Sequence, residues 1–214
     1  MVSIKSIKVQ AKKESISSQL LVFGQKDGDI FSGWGDDASS DLNKAISMAS
    51  FTGKSGKTVH TFGNDNIQRV SVYGLGKEDK LNSDGIREIA SKISMYANSH
   101  DLNDISIDGE SFGLDSKIYA QAFAEGLVLG AYEFLDYKSK KKNPNTLENV
   151  VIYGDVDANA VSKGEVIGNG VAYARDLGNH PANTLTPAKM AEDAVEIGNS
   201  AGMKSTIIDV SEFQ

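Results

Sequence analysis

Short β-rich runs that alternate with amphipathic helical stretches constrain this chain more than any other feature of its sequence. The run at 69–73 ends in the glycine turn at 74–76, and a helical pattern begins near Ser83. A strand, a turn and a helix in succession form the basic unit of an α/β fold. Because this alternation continues to about Asn159, we expect a mixed α/β fold.

The individual strands and helices are predicted from the period at which apolar residues recur. The predicted strands are residues 3–9, 19–23, 57–62, 69–73, 104–108, 149–153 and 205–210, with a hairpin between the third and fourth. The predicted helices are 41–51, 115–137 and 162–175, one from about Ser83 that buries Ile86, Ile89, Ala90, Ile93 and Ala97, and one from Pro187. The helix at 115–137 is expected to be the longest. Asp41 and Thr186 are predicted N-caps, and proline suits the first helical position after Thr186.

The turn-like residues 155–159 predict a domain boundary. We therefore expect a first domain at 1–159 and a second segment at 160–214. The predicted strand at 205–210 has no successor that could pair with it, and one strand cannot complete a core. The second segment is accordingly expected to hold only the first helical and β elements of a truncated second domain.

Composition excludes several classes of protein. Apolar residues make up 40% of the chain and charged residues 24%, which is ordinary for a globular domain with a sizeable core. The absence of cysteine excludes disulfides, thiolate metal ligands and a cysteine nucleophile. We find neither a secretory signal nor an apolar span long enough for a membrane helix, so the cytoplasm is the expected compartment.

The segment Gly74-Leu75-Gly76-Lys77 admits two interpretations. Backbone amides at a turn from strand to helix can cradle a phosphate. The segment lacks the spacing of a phosphate-binding loop, which places Lys-Ser or Lys-Thr after a longer glycine-bounded stretch. We therefore favour a tight structural turn.

Other polar clusters are weaker candidates for a site. Asp27, Asp29, Asp36 and Asp37 lack the spacing of a calcium loop, so solvated turns are the favoured interpretation. His60, His100 and His180 are too scattered for a zinc helix. The basic run 138–142 is a solvated helix end in the simplest interpretation, with an acidic partner or DNA as the alternative. Trp34 fits either a core anchor or an exposed aromatic residue.

Three segments carry a family resemblance. The first is Val-Ser-Val-Tyr-Gly-Leu-Gly-Lys at 70–77, with Ile86 and Arg87 in the next helix. The second is Ala-Glu-Gly-Leu at 124–127, with aromatic residues and a lysine at 132–139. The third and most specific is Ala-Arg-Asp-Leu-Gly-Asn-His-Pro-Ala-Asn at 174–183, continued by Leu-Thr-Pro at 185–187. In this order they resemble the leucyl aminopeptidase, or cytosol aminopeptidase, family, with departures at Gly178 and His180.

The resemblance implies a macro-domain-like α/β domain at 1–159, with a mixed sheet flanked by helices. It implies the interdomain helix and the first elements of the peptidase catalytic domain at 160–214. The family's full-length enzymes are homo-hexamers that release N-terminal residues, leucine prominently, from peptides. They use two divalent cations, zinc or manganese, which can polarise the scissile carbonyl and supply a hydroxide. The metal ligands belong to the catalytic domain and include an Asn-Thr-Asp-Ala-Glu-Gly-Arg-Leu stretch that this chain lacks.

No catalytic, cofactor-binding or metal-binding residue is therefore assigned within this chain, and the chain alone is expected to be inactive. Its expected partners are its own catalytic domain and the other subunits of a hexamer, with peptides bound outside it. An apolar face on the helices within 162–201 should pack on the second domain.

Two functions of other classes remain open at this point. A stand-alone macro-like module would bind a nucleotide such as ADP-ribose, an inference from fold analogy alone. A DNA-binding regulatory domain is suggested only by the lysine run. The net charge of −7 counts against nucleic acid as a partner.

Overall fold

The computed structural model describes residues 2–13, 16–29, 36–139 and 145–212, and for 36–41 it describes the backbone alone. The elements are β1 Ser6–Gln10, β2 Ser18–Lys26, α1 Asp36–Met48, β3 Thr58–Phe62, β4 Ile67–Gly76, α2 Ser83–Ser99, β5 Asp104–Asp108, α3 Lys117–Gly130, β6 Asn149–Tyr153, α4 Ala158–Asn179 and α5 Pro187–Ser200. Short 3-10 turns lie at Glu78–Lys80, Glu110–Phe112 and Val210–Glu212. The chain divides into two compact units, Met1–Ala172 and Tyr173–Gln214.

The first unit contains a six-stranded sheet with the order β1-β6-β5-β2-β4-β3. Neighbouring strands are parallel except β3, which pairs antiparallel to β4 with Val59 opposite Val72. The β3–β4 pair is the hairpin that the sequence predicts. A mixed sheet flanked by helices is confirmed as the fold class.

Apolar side chains cover both faces of the central strands. Four successive residues of β2, Leu20 to Phe23, are buried, which is the pattern of a parallel strand covered on two sides. The larger core lies under α2 and α3 and includes Leu20, Val22, Ile86, Ile93, Ile105, Ile107, Phe123, Leu127, Val150 and Ile152. The smaller core on the opposite face lies under α1 and comprises Leu21, Phe23, Leu42, Ile67, Val70 and Val72.

Helix α2 matches its prediction closely. It begins at Ser83, and the Asn82 side chain caps it by accepting a hydrogen bond from the Gly85 amide at 2.9 Å. All five residues predicted to face the core are buried. An apolar stripe at three- and four-residue spacing therefore identified the buried face correctly.

Three helix predictions are wrong. Helix α3 ends at Gly130, seven residues before the predicted end, and α4 is the longest helix with 22 residues. The chain leaves the α3 axis because Tyr132 forms a β-bridge with Val2, and the Asn145 side chain donates to the Ala131 carbonyl at 3.0 Å. Helix α1 starts at Asp36, so Asp41 lies inside the helix and is not its N-cap.

The predicted strand at 205–210 is also wrong. Residues 203–209 have no regular structure, and Val210–Glu212 is a 3-10 turn. A β-rich run needs a neighbouring strand to receive its hydrogen bonds, and the described residues of the second unit provide none. The backbone instead forms a local hydrogen bond, in which the Glu212 amide donates to the Asp209 carbonyl at 2.9 Å.

The second unit contains α5 as predicted. Thr186 lies at the N-cap and its side chain accepts from the Lys189 amide at 3.2 Å, with Pro187 in the first turn. No helix within the described part of the chain is long and apolar enough to cross a membrane.

Candidate functional site

A partly buried ion pair joins α2 to α3. The Arg87 Nε donates to Glu125 Oε2 at 2.7 Å, and the Glu125 side chain is 9% exposed. Gln121 donates to the other Glu125 oxygen at 2.8 Å, and Asp84 also pairs with Arg87. The hydrogen bond that Arg87 donates to Glu125, with the neighbouring acidic charges, raises the pKa of the Arg87 guanidinium. This network fixes α2 against α3 and leaves both Glu125 oxygens engaged.

Glycines let three helices approach closely. A Cβ on Gly126 would lie 2.2 Å from the Arg87 carbonyl oxygen, and one on Gly130 would lie 2.3 Å from that of Ser91. Helix α4 repeats the pattern on α3, because a Cβ on Gly164 would lie 2.2 Å from the Gln121 carbonyl oxygen. Arg87, Glu125 and Gly126, which carry part of the family resemblance, therefore serve helix packing.

The glycine turn after β4 is structural. The Gly74 amide donates to the Lys57 carbonyl at 2.8 Å, and the Gly76 amide donates to the Gly53 carbonyl at 2.9 Å. A Cβ on Gly74 would lie 2.1 Å from the Lys54 carbonyl oxygen, so only glycine fits beneath the 53–57 segment. Neither glycine amide is available to a phosphate, which supports the interpretation as a tight turn.

A cleft of about 600 Å³ lies beside this turn, at the carboxyl end of β4. Its walls come from the 53–57 segment, the turn at 76–82 and the first turns of α2. Tyr73, Leu75 and Ile89 give it an apolar floor and are nearly fully buried. Burial raises the pKa of the Tyr73 phenol, which stays protonated at neutral pH.

Lysines dominate the charged lining of this cleft. Five lysines line it: Lys54, Lys57, Lys77, Lys80 and Lys92. Three acids line it as well, and each has a partner: Asp27 accepts from Thr52 at 3.0 Å, Asp84 pairs with Arg87, and Glu88 pairs with Lys92 at 2.7 Å. In the part of the chain that the structure describes, no carboxylate pairs with the first four lysines. The cleft is thus locally cationic in a chain of net charge −7.

A buried acid that the sequence did not single out lies at the carboxyl end of β5. Asp108 is 4% exposed, and Lys12 Nζ approaches its Oδ1 at 3.3 Å and Glu110 Oε2 at 3.2 Å. Burial raises the pKa of the Asp108 carboxyl, and the charge of Lys12 opposes this shift. The only signal in the sequence was an aspartate at the end of an apolar strand, which is too common to identify a site.

The acidic residues considered for a cation do not converge. Within residues 2–13, 16–29, 36–139 and 145–212, no three His, Asp or Glu side chains form a group that could hold a metal ion. Asp27 and Asp29 lie in the turn after β2, where the Asp27 amide donates to the Gly76 carbonyl. The side chains of Asp36 and Asp37 lie outside the described residues.

Two of the three histidines come together in a way that their sequence positions did not reveal. The His60 ring stacks on Tyr96 at 4.0 Å, and Tyr96 contacts the His100 ring at 4.1 Å. His60 Nδ1 lies 2.7 Å from Ser71 Oγ on the neighbouring strand. Burial, together with the nearby His100, lowers the pKa of His60. This column ties β3 to α2, whereas His180 lies in the second unit.

The lysine run 138–142 lies partly within the described residues. Lys138 and Ser139 follow the end of α3 and are exposed, whereas 140–142 lie outside the described residues. Trp34 also lies outside them. The third resemblance segment falls at the end of α4 and in the turn at 181–185, where the Thr184 and Leu185 amides donate to the Pro181 carbonyl.

One side of α4 is apolar and exposed. Ala160, Val161, Gly164, Gly168 and Ala172 are buried. On the same helix Val166 is 69% exposed, and Ile167 and Val171 are also exposed. In the second unit Met190 and Ile197 of α5 are exposed. Each of the two helices therefore exposes apolar side chains, and the packing of such a face on a second domain stays a prediction.

Comparisons with known proteins agree with the family resemblance. The model of the cytosol aminopeptidase family, N-terminal domain, matches residues 26–141. A probable cytosol aminopeptidase of Rippkaea orientalis is 35% identical over 177 residues, and the match covers 81% of this chain and 36% of that protein. One of Microcystis aeruginosa is 33% identical over 182 residues, covering 84% of this chain and 37% of that protein.

Two solved structures are similar in fold. A point mutant of tomato leucine aminopeptidase aligns with a TM-score of 0.79 and 25% identity, covering 100% of this chain and 46% of that chain. The bottromycin maturation enzyme BotP in complex with Mn aligns with a TM-score of 0.67 and 26% identity, covering 87% of this chain and 37% of that chain. The chain thus spans less than half the length of these proteins. The comparisons give no support to a nucleotide-binding module or a DNA-binding regulator.

Proposed function

We propose that this chain is the non-catalytic domain of a two-metal leucyl aminopeptidase. The chain belongs to the cytosol aminopeptidase family through its N-terminal domain. The whole enzyme releases N-terminal amino acids from peptides. The observation that carries this proposal is the family match across residues 26–141. The role of Arg87, Glu125 and Gly126 in helix packing supports a scaffold in which the family's residues preserve shape.

The catalytic centre belongs, in this proposal, to the rest of the enzyme. Two divalent cations, zinc or manganese, would supply Lewis-acid chemistry there. Of this chain's own residues we assign none to the metals or to the reaction. The manganese complex of BotP, a protein similar in fold, supports manganese as one candidate.

The proposed domain organisation is 1–159 for the macro-like domain and 160–214 for the interdomain helix and the first elements of the catalytic domain. The direct partner is then the enzyme's own catalytic domain. The exposed Val166, Ile167 and Val171 side chains of α4 support this assignment, because exposed apolar side chains on one helix suit an interaction surface. Assembly into a homo-hexamer and a cytoplasmic location complete the proposal.

An activity assay tests whether catalysis belongs to a domain outside this chain. The purified 214-residue chain, depleted of host aminopeptidases with antibody, is incubated with a leucine chromogenic amide and added manganese or zinc. We expect no turnover, while the full-length Rippkaea orientalis relative, assayed as a positive control, hydrolyses the amide. Metal-dependent turnover by the depleted chain would overturn the assignment of catalysis to another domain.

The natural gene provides an independent test. We expect the reading frame to continue beyond Gln214 into a segment with the lysine, aspartate and glutamate ligands of a two-metal site. A stop codon directly after Gln214 would contradict the proposal, whatever the activity assay shows.

A further inference from the structure

We propose that the lysine-lined cleft at the carboxyl end of β4 binds a compact anion of the polyphosphate class. The cleft is bounded by the 53–57 segment, the turn at 76–82 and the start of α2. Its volume of about 600 Å³ lies within the range of roughly 300–1,000 Å³ that small-molecule sites occupy. This inference does not depend on the proposed function, because it concerns a surface of the domain itself.

The charge of the cleft is the first step of the argument. Lys54, Lys57, Lys77 and Lys80 are exposed and lack a carboxylate partner among the described residues. The acids of the lining are already engaged by a hydroxyl, an arginine and the fifth lysine. Like charges held around one concavity repel each other, and a multivalent anion relieves that repulsion. Five lysines against three acids leave a net charge of +2 on the lining.

The shape of the cleft favours a compact ligand over an extended one. The four unpaired lysines come from two chain segments, 54–57 and 77–80, that face the same cavity. An extended polyanion would also have to cross the surrounding surface of a chain whose net charge is −7. Glu78 and Asp79 lie between Lys77 and Lys80 in the chain but do not line the cleft, and Glu78 pairs with Lys26 at 2.6 Å. Physiological salt screens acids that lie more than about 8 Å from a bound anion.

The walls are rigid enough to hold this arrangement. The Gly74 and Gly76 amides bond to the 53–57 segment, so this wall is fixed to β4. Leu75 and Ile89 are buried beneath the lysines and provide a dry floor. An apolar floor under a cationic rim fits a small organic molecule that carries more than one phosphate.

The test uses the 214-residue chain, tripolyphosphate as the probe, and ¹H–¹⁵N NMR titration with calorimetry. We expect saturable binding whose shift changes map to 53–57 and 74–92, and whose affinity falls as salt increases. Lys54→Gln with Lys77→Gln should weaken binding about 25-fold, since each lysine near an anionic surface is worth roughly a factor of five. Lys8→Gln with Lys163→Gln makes the same change in net charge away from the cleft and should weaken binding by less than about twofold.

Three results would overturn the proposal. They are the absence of saturable binding, shift changes outside the cleft, and equal weakening by the two double variants. Circular dichroism of both variants checks that the fold is kept, which exposed lysine-to-glutamine changes should preserve. Titration with a 12-base-pair DNA duplex distinguishes the ligand class. Tighter binding of the duplex than of tripolyphosphate at the same site would show that the cleft binds nucleic acid and would overturn the proposal as well.

Discussion

Replacement of Gly126 by alanine introduces a methyl group into the tightest part of the contact between α3 and α2. A Cβ at this position lies 2.2 Å from the Arg87 carbonyl oxygen and 2.8 Å from the Ala90 Cβ. Carbon atoms rest at separations of about 3.5–4.0 Å. Because the closer neighbour is a backbone atom, no change of rotamer relieves the clash, and the two helices must separate by roughly 1 Å.

The separation loosens apolar side chains that the two helices share. Ile86, Ile93, Phe123 and Leu127 are fully buried at this interface. Overpacking a close-packed core costs about 1–3 kcal/mol, and a clash with backbone belongs at the upper end of that range. About 1 kcal/mol of this cost is offset, because alanine has a greater helix propensity than glycine. We expect Gly126→Ala to lower the free energy of unfolding by about 2 kcal/mol, and the Tm by about 4–8 °C for a chain of this size.

Gly170 of α4 provides the matched control. No atom lies within 4 Å of a Cβ built there, so Gly170→Ala should raise the free energy of unfolding by about 0.5–1 kcal/mol. Urea unfolding followed by far-UV circular dichroism measures the free energy of unfolding of both variants. The slope of this free energy against urea concentration is expected to be unchanged. A Gly126→Ala protein that is as stable as the Gly170→Ala protein would refute the packing argument.

Three further predictions concern side chains. Glu125→Gln removes the charge that faces Arg87 and should lower the free energy of unfolding by about 1–3 kcal/mol; an unchanged urea midpoint would contradict this. The His60 ring should titrate by NMR with a pKa below 6.5. Because the unfolded chain then takes up the proton first, stability should decrease as pH falls below 6.5, and His60→Gln should flatten this decrease. Thr186→Ala should cost about 1 kcal/mol and accelerate amide exchange in α5 about fivefold, whereas unaltered exchange would exclude the cap.

Local patterns predicted those elements in which propensity and tertiary structure agree. The strands at 104–108 and 149–153 have the predicted bounds, because each is a short run with β-branched residues that is largely buried in a parallel sheet. The N-cap at Thr186 was also predictable, because threonine followed by proline carries its own hydrogen-bonding signal. These features depend on the residues within a few positions of themselves.

Contacts between distant residues decided the elements that were predicted wrongly. The apolar period of α3 continues to Phe134, yet the helix ends at Gly130 because Tyr132 pairs with Val2. The run at 205–210 has strand propensity but no neighbouring strand among the described residues of its unit. Propensity is a weak prior that such contacts override.

The candidate site was the least predictable part of the molecule. The sequence drew attention to Lys77 through its glycine turn, but Lys54 and Lys57 join it only because the 53–57 segment bonds to β4. His60 and His100 meet only through Tyr96, which no spacing along the chain indicates. Predicting a site that is assembled from separate segments requires knowledge of the strand order, and the strand order is a property of the whole sheet.

The order of the sheet has a consequence for how this protein is made. Strand β1 leaves the ribosome before its sheet neighbour β6, and 143 positions separate Ser6 from Asn149. At about 5–20 residues per second, the nascent β1 segment waits roughly 7–30 s before β6 is synthesised. During that interval its backbone donors and acceptors have only water, a chaperone or another nascent chain to bond with. The edge of the sheet that is completed last therefore contains a strand that is translated before its neighbour.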